Sequence, residues 1–95
     1  MPKGYCIVRV DVHSPEAYAL YAKEATEAIK KHGGRPLVRG GAYETMEGQA
    51  RARNVVIEFD SVDAARTFYL SEDYQRAKKK REYAATIDYI IVEGV

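Results

Sequence analysis

Two charged residues in separate apolar segments offer the most direct chemistry in this sequence. Arg39 lies near the end of the segment Gly33–Gly41, and Glu58 lies in a later apolar run. Strand alternation places Arg39 on the same face as Leu37, and Glu58 on the same face as Val56. If these faces line one cavity, Arg39 would bind an anion or a developing oxyanion, and Glu58 would orient it or move a proton. A structural ion pair is the alternative reading of the same two charges.

Other charged and phenolic side chains are further candidates for ligand binding. Arg9 and Asp11 lie on one face of the first apolar segment, where they fit either an ion pair or a ligand contact. Tyrosine combines an apolar ring with a polar hydroxyl, so several tyrosines are candidates for a pocket wall. These are Tyr5, Tyr69, Tyr74 and Tyr89.

The remaining reactive side chains give a short list. His13 lies between a predicted strand and a predicted helix, so it joins Glu58 as a candidate for proton transfer, with an exposed loop histidine as the alternative. Cys6 alternates with valines and is predicted to be a buried hydrophobic residue. The two histidines are far apart in the sequence and there is one cysteine, so we expect no metal site. The sequence also lacks a nucleotide-binding motif, so we expect no cofactor.

Length and composition limit the class of protein. The chain of 95 residues fits a single domain, residues 1–95, and its formal net charge of +1 argues against nucleic acid or an anionic membrane as a partner. Its longest aliphatic runs are too short to span a bilayer. With one cysteine no intrachain disulfide can form, so we expect a cytoplasmic protein.

Alternating and helical apolar patterns predict six main elements that position these residues. The second helix is expected to break at residues 71–73. The predicted elements are strands at 5–12, from about 35 (bending at Gly40-Gly41 into 42–45), 54–59 and 87–93, a helix from Pro15 to about His32, and a helix from about Val62 that resumes over residues 74–83.

This order predicts an α+β fold, a ferredoxin-like βαββαβ sandwich with an antiparallel sheet and both helices on one face. One alternating set should lie under the helices: Cys6, Val8, Val10, Val55, Ile57, Phe59, Ile90 and Val92. The other set should form the opposite face: Tyr5, Ile7, Arg9, Asp11, Leu37, Arg39, Val56, Glu58, Tyr89, Ile91 and Glu93.

The opposite face is too apolar for a typical solvent-exposed face and too charged for a plain core. Two such faces packed together would make a homodimer and enclose a cavity lined by charged residues and tyrosines. We therefore expect a homodimer with a pocket for a small organic ligand.

The chain resembles an uncharacterised domain-of-unknown-function family of the dimeric α/β-barrel superfamily. The most specific segment is GGRPLVRGG at residues 33–41, which matches a GGRxLVRGG signature, and further matching segments extend over nearly the whole chain. The resemblance implies a ferredoxin-like fold that forms a dimeric α/β barrel. Wider relatives include cofactor-independent monooxygenases and isomerases, so the fold does not select an activity.

Three functions remain open from the sequence. The first is a non-catalytic homodimer that binds a small organic ligand. The second is a cofactor-independent monooxygenase- or isomerase-like enzyme acting on a carbonyl or phenolic compound. The third is a purely structural dimer, and an empty ligand-sized cavity would distinguish it from the other two.

Overall fold

Four strands form one antiparallel sheet in the computed structural model of this protein, which describes residues 2–95. The strand order is β2-β3-β1-β4, and the helices cover one face. The elements are β1 (Gly4–Val12), α1 (Pro15–Lys31), β2 (Arg35–Arg39), β3 (Arg53–Phe59), α2 (Val62–Leu70), α3 (Glu72–Lys80) and β4 (Ala85–Glu93). The predicted α+β, ferredoxin-like fold is confirmed. No helix within residues 2–95 is long and apolar enough to cross a membrane.

The predicted break in the second helix is also confirmed. Ser71 ends α2 and caps α3, because its hydroxyl accepts a hydrogen bond from the Tyr74 amide at 3.3 Å and donates one to the Phe68 carbonyl at 2.7 Å. The break turns Phe68 and Tyr74 toward each other, with ring centroids 4.8 Å apart. Both rings are buried in the core between the helices and the sheet.

Cys6 is fully buried in this core, as its alternation with Val8 and Val10 predicted. Burial raises the pKa of its thiol, since the charged thiolate would lose its hydration. Cys6 therefore behaves as a small hydrophobic residue.

The face assignment predicted for β4 is wrong. The register pairs Cys6 with Ile91 and Val8 with Tyr89, so Ile91, Tyr89 and Glu93 lie on the helix side of the sheet. Ile90 and Val92 lie on the uncovered face instead, and Ile90 is 54% exposed. Both alternating sets of this strand contain apolar residues, so hydrophobicity alone did not determine which set is buried. The Tyr89 ring fits among the core aromatic residues, 4.9 Å from the Tyr69 ring.

The predicted common face of Arg39 and Glu58 is wrong as well. Arg35 pairs with Glu58, but the register then shifts between Pro36 and Val38, so Arg39 pairs with Val55. The extra residue of a β-bulge changes the alternation by one position, which moves Arg39 to the helix side. Arg35, and not Arg39, is therefore beside Glu58.

The predicted bend of β2 into a further strand is also wrong. The strand ends at Arg39, and Gly40 adopts a left-handed conformation with φ of 72°. Residues 40–52 form a connection without regular secondary structure, and most of it is exposed.

Candidate functional site

A small cleft opens on the helix side of the sheet, between α1 and the strands β2 and β3. It encloses about 50 Å³. Its walls are mostly apolar or aromatic, with two arginines. The lining residues are Val8, Tyr18, Tyr21, Ala22, Ala25, Thr26, Ile29, Arg39, Arg53, Val55, Ile57, Phe68, Tyr74 and Tyr89.

Arg39 and Arg53 carry the charge of this cleft. No carboxylate lines it, and neither arginine forms an ion pair within residues 2–95. The guanidinium of Arg53 lies over the Tyr18 ring, with its central carbon 5.7 Å from the ring centroid. The Nε atom of Arg53 is buried without a hydrogen-bond partner among the described residues. The cleft therefore presents positive charge that the described part of the chain does not neutralise.

Gly40 explains how Arg53 reaches this position. A Cβ atom at residue 40 would overlap Nη1 of Arg53 and lie 2.9 Å from its Cζ. The left-handed backbone of Gly40 also disfavours any other residue. Gly40 thus leaves room for the Arg53 side chain beside the end of β2.

Tyrosine side chains form part of the cleft wall. The hydroxyls of Tyr21 and Tyr74 are 2.8 Å apart and share a hydrogen bond. The Tyr89 hydroxyl is buried and has no hydrogen-bond partner in the described structure. Burial raises the pKa of both Tyr21 and Tyr89, so these phenols remain protonated at neutral pH. They can donate hydrogen bonds to a ligand but cannot act as phenolate bases.

The uncovered face of the sheet carries a second polar cluster around Glu58. Its carboxylate accepts hydrogen bonds from Tyr5 Oη at 3.0 Å and Arg35 Nε at 2.9 Å, and Arg35 also bonds to Asp60 at 3.0 Å. The hydrogen bond from Arg35, followed by that from Tyr5, lowers the pKa of Glu58. Glu58 is therefore an ionised acceptor whose partners lie within the same chain.

Asp11 organises a third cluster at the other end of this face. It accepts a hydrogen bond from the Ala52 amide at 3.1 Å and one from Arg51 at 2.6 Å, and these interactions lower its pKa. Arg51 also donates to Asp88 at 2.8 Å. Arg9 does not pair with Asp11; it donates to the Gln49 carbonyl at 2.8 Å. The contacts of Asp11 with Arg51 and Ala52, and of Arg9 with Gln49, hold the 40–52 connection against the sheet.

Between these clusters, an apolar row crosses all four strands. Val38 pairs with Val56, Val56 pairs with Ile7, and Ile7 pairs with Ile90. Val38 is 43% exposed, and Val92 beside this row is 39% exposed. The described residues place no helix or loop over this row, and we call it the apolar row below.

The residues chosen from the sequence thus fall into separate places. Arg39, Tyr74 and Tyr89 line the cleft, and Tyr69 packs against the last two. Tyr5, Arg9, Asp11 and Glu58 lie on the uncovered face. The exposed His13 makes a 2.6 Å hydrogen bond to Thr86 and lines neither the cleft nor the Glu58 cluster.

Arg53 was missed from the sequence, although a signal was present. It has the same alternation as Val55 and Ile57, both of which face the helices. Within residues 2–95 no group of three or more histidine, cysteine, aspartate or glutamate side chains is arranged to hold a metal ion.

Comparison with known proteins identifies the family. Residues 3–95 match the family described as Domain of unknown function (DUF1330), and the chain belongs to this family. No curated protein matches the chain.

Solved structures share the fold at low sequence identity. A protein of unknown function from Rhodopseudomonas palustris superposes with a TM-score of 0.78 at 20% identity, over 99% of this chain and 83% of that one. SnoaB, a cofactor-independent oxygenase from Streptomyces nogalater, gives 0.68 at 12% identity, over 97% and 92% of the two chains. A dimeric protein of unknown function with a ferredoxin-like fold from Bacteroides fragilis gives 0.57 at 15% identity, over 96% and 95%. At these identities the likeness establishes the fold alone.

Proposed function

We propose that this protein is a cytoplasmic homodimer that binds a small organic ligand in the cleft between α1 and the sheet. The observation that carries the proposal is the pair Arg39 and Arg53, which line a largely apolar cleft to which residues 2–95 contribute no carboxylate. A guanidinium in such a setting attracts an anionic group, because partial exclusion of water strengthens the interaction. The cytoplasmic location is proposed because the single cysteine allows no intrachain disulfide.

The homodimer is proposed from the apolar row. None of the helices in the described part of the chain covers one face of the sheet, and exposed isoleucine and valine side chains cross the centre of that face. The molecule measures 36 × 33 Å across its two longest axes, so this face can supply the roughly 800 Å² per partner of a typical stable interface. The charged clusters beside the row are paired within the chain, which lowers the cost of burying them. The related fold from Bacteroides fragilis is described as dimeric.

A cofactor-independent oxygenase- or isomerase-like enzyme is the second candidate. The hydrogen-bonded hydroxyls of Tyr21 and Tyr74 inside the cleft favour it, because a phenol O–H can donate a hydrogen bond to a developing oxyanion. SnoaB, which has the same fold, is described as a cofactor-independent oxygenase. In such an enzyme Arg39 and Arg53 would hold the substrate, and the hydroxyls of Tyr21 and Tyr74 would face its reacting oxygen. Glu58 and His13 would need a substrate outside the cleft.

Native mass spectrometry of the purified protein tests the proposal. We expect a dimer mass together with a copurified small molecule that is released on denaturation and identified in the extract. Sedimentation velocity at micromolar concentration checks the dimer independently. A monomer would contradict the assembly. A dimer that binds no member of a broad panel of small anions and carbonyl compounds would instead support the purely structural alternative. Turnover of a bound compound would favour the enzyme.

A further inference from the structure

We infer that the cleft selects small monocarboxylates with a short apolar chain, whose carboxylate lies between Arg39 and Arg53. This inference rests on the proposed function and specifies its ligand class.

The arginines of the cleft differ from two arginines of the uncovered face in their ion-pair partners. Arg35 and Arg51, on the uncovered face, each bond to two carboxylates of the same chain. Arg39 and Arg53, in the cleft, bond to none among the described residues. Two arginines on the uncovered face are thus neutralised by carboxylates, and Arg9 there bonds to the Gln49 carbonyl, whereas the two arginines in the cleft have no carboxylate partner among the described residues. A ligand carboxylate would supply the missing anion, in the planar geometry that a guanidinium favours.

The residues around Arg53 hold its side chain in place. The guanidinium of Arg53 lies over the Tyr18 ring, and Gly40 leaves room beside it. An arginine held in this way loses little side-chain freedom when a ligand binds. Its Nε is buried and has no hydrogen-bond partner among the described residues. Arg53 is therefore the main anchor, and the more exposed Arg39 is the second.

The size of the cleft limits the length of the ligand's apolar chain. A dry cavity of about 150 Å³ holds benzene. The cleft encloses only about 50 Å³, so the buried part of a ligand is a chain of a few carbons. Beyond the arginines, Thr26 and the tyrosine hydroxyls, its walls are apolar. A carboxylate joined directly to a short alkyl chain fits both the charge and the walls, whereas free phosphate would leave the apolar walls without a contact.

Butyrate and its neutral analogue butyramide form the test. Both are titrated into isotopically labelled full-length protein at constant ionic strength, and backbone amide shifts are followed by NMR. We expect butyrate to shift amides of Tyr18, Gly40 and Val55, and butyramide to bind at least about tenfold more weakly, since a hydrogen bond to a charged partner contributes that much.

Charge-removing variants assign the effect to the arginines. Arg53→Gln should weaken butyrate binding about tenfold or more. The matched control Arg66→Gln removes the same charge from an exposed helix position, where Arg66 pairs with Asp63, and should leave binding unchanged. If Arg53→Gln lowers the melting temperature too far for titration, Arg39→Gln, on an exposed strand end, provides the same comparison.

Several outcomes would overturn the inference. Equal binding of butyrate and butyramide in the cleft, or full binding by both arginine variants, would show that charge does not select the ligand, while the proposed pocket would stand. Tighter binding of inorganic phosphate than of butyrate would show that the cleft does not select carboxylates. Absence of any shift with all three probes would reject the ligand class, and a copurified molecule of other chemistry would still support the proposed function.

Discussion

Ile90 provides the sharpest test of the proposed dimer. It lies at the end of the apolar row opposite Ile7, and 54% of it is exposed in the single chain. Packing of two such faces would bury it in both subunits. Replacing it with alanine should therefore weaken the dimer without harming the core.

The size of the effect follows from the exposed fraction. Full burial of an isoleucine side chain contributes about 1.5–3 kcal/mol, so burying the exposed half contributes about 1 kcal/mol in each subunit. The variant Ile90→Ala should then lose about 2 kcal/mol per dimer, which corresponds to a roughly 30-fold higher dissociation constant. Ile90→Lys adds the cost of burying an unpaired ammonium group and should give a monomer at micromolar concentration.

Sedimentation equilibrium over a range of protein concentrations measures both dissociation constants. The matched control is Leu20→Lys, because Leu20 is a similarly exposed aliphatic residue, 61%, but lies on α1 in the helix layer. Circular dichroism confirms that each variant is folded. A fully dimeric Ile90→Lys protein, or equal dissociation of the Leu20→Lys control, would refute the reasoning that the apolar row forms the interface.

Three further predictions concern single residues. Gly40→Ala should destabilise the fold by about 1–2 kcal/mol in urea titrations, because alanine is strained at φ of 72°, whereas Gly41→Ala, where a Cβ meets nothing within 4 Å, is the control and should change stability much less. The adjacent Ser71 side chain, and then His32, whose Nε2 lies 3.2 Å from the carboxylate, lower the pKa of Asp73 from 3.8 to about 2. The stabilisation from this carboxylate is therefore complete above pH 4 and disappears as the pH falls toward 2. Urea unfolding between pH 2 and 5 should show this loss in the native protein and not in Asp73→Asn; identical pH profiles would disprove it. Cys6 should react with a thiol reagent only as the protein unfolds, and rapid labelling of the native protein would contradict its burial.

The sequence was sufficient for the order of elements, because their signals are local. Alternation of Cys6, Val8 and Val10 identified the buried side of β1, and Ser71 marked the helix break by its type and position. Each signal depends on a few neighbouring residues and survives in the folded chain. The cleft was only partly predictable, since it needs the relative placement of α1, β2 and β3.

The errors in the candidate site arise from a single register change and one ambiguous strand. The bulge in β2 leaves no clear mark in the sequence, yet it reverses the side of the sheet that Arg39 faces. In β4 both alternating sets contain apolar residues, so the choice of Tyr89 over Ile90 for the core depends on the fit among the neighbouring rings. Alternation specifies two faces, but only packing decides which one is covered.

The position of Arg39 on the helix side gives the two faces of the sheet different sets of charges. With Arg39 beside Glu58, the uncovered face would have held an arginine and a carboxylate in position to contact a ligand. With Arg35 in that place, the charges of Glu58 are satisfied within the chain, and the face is suited to contact with another protein surface. The uncompensated arginines lie on the other side, where Arg39 and Arg53 border apolar walls. The two faces of one sheet therefore favour different partners: a second subunit on the uncovered side, and an anion with a short apolar chain under α1.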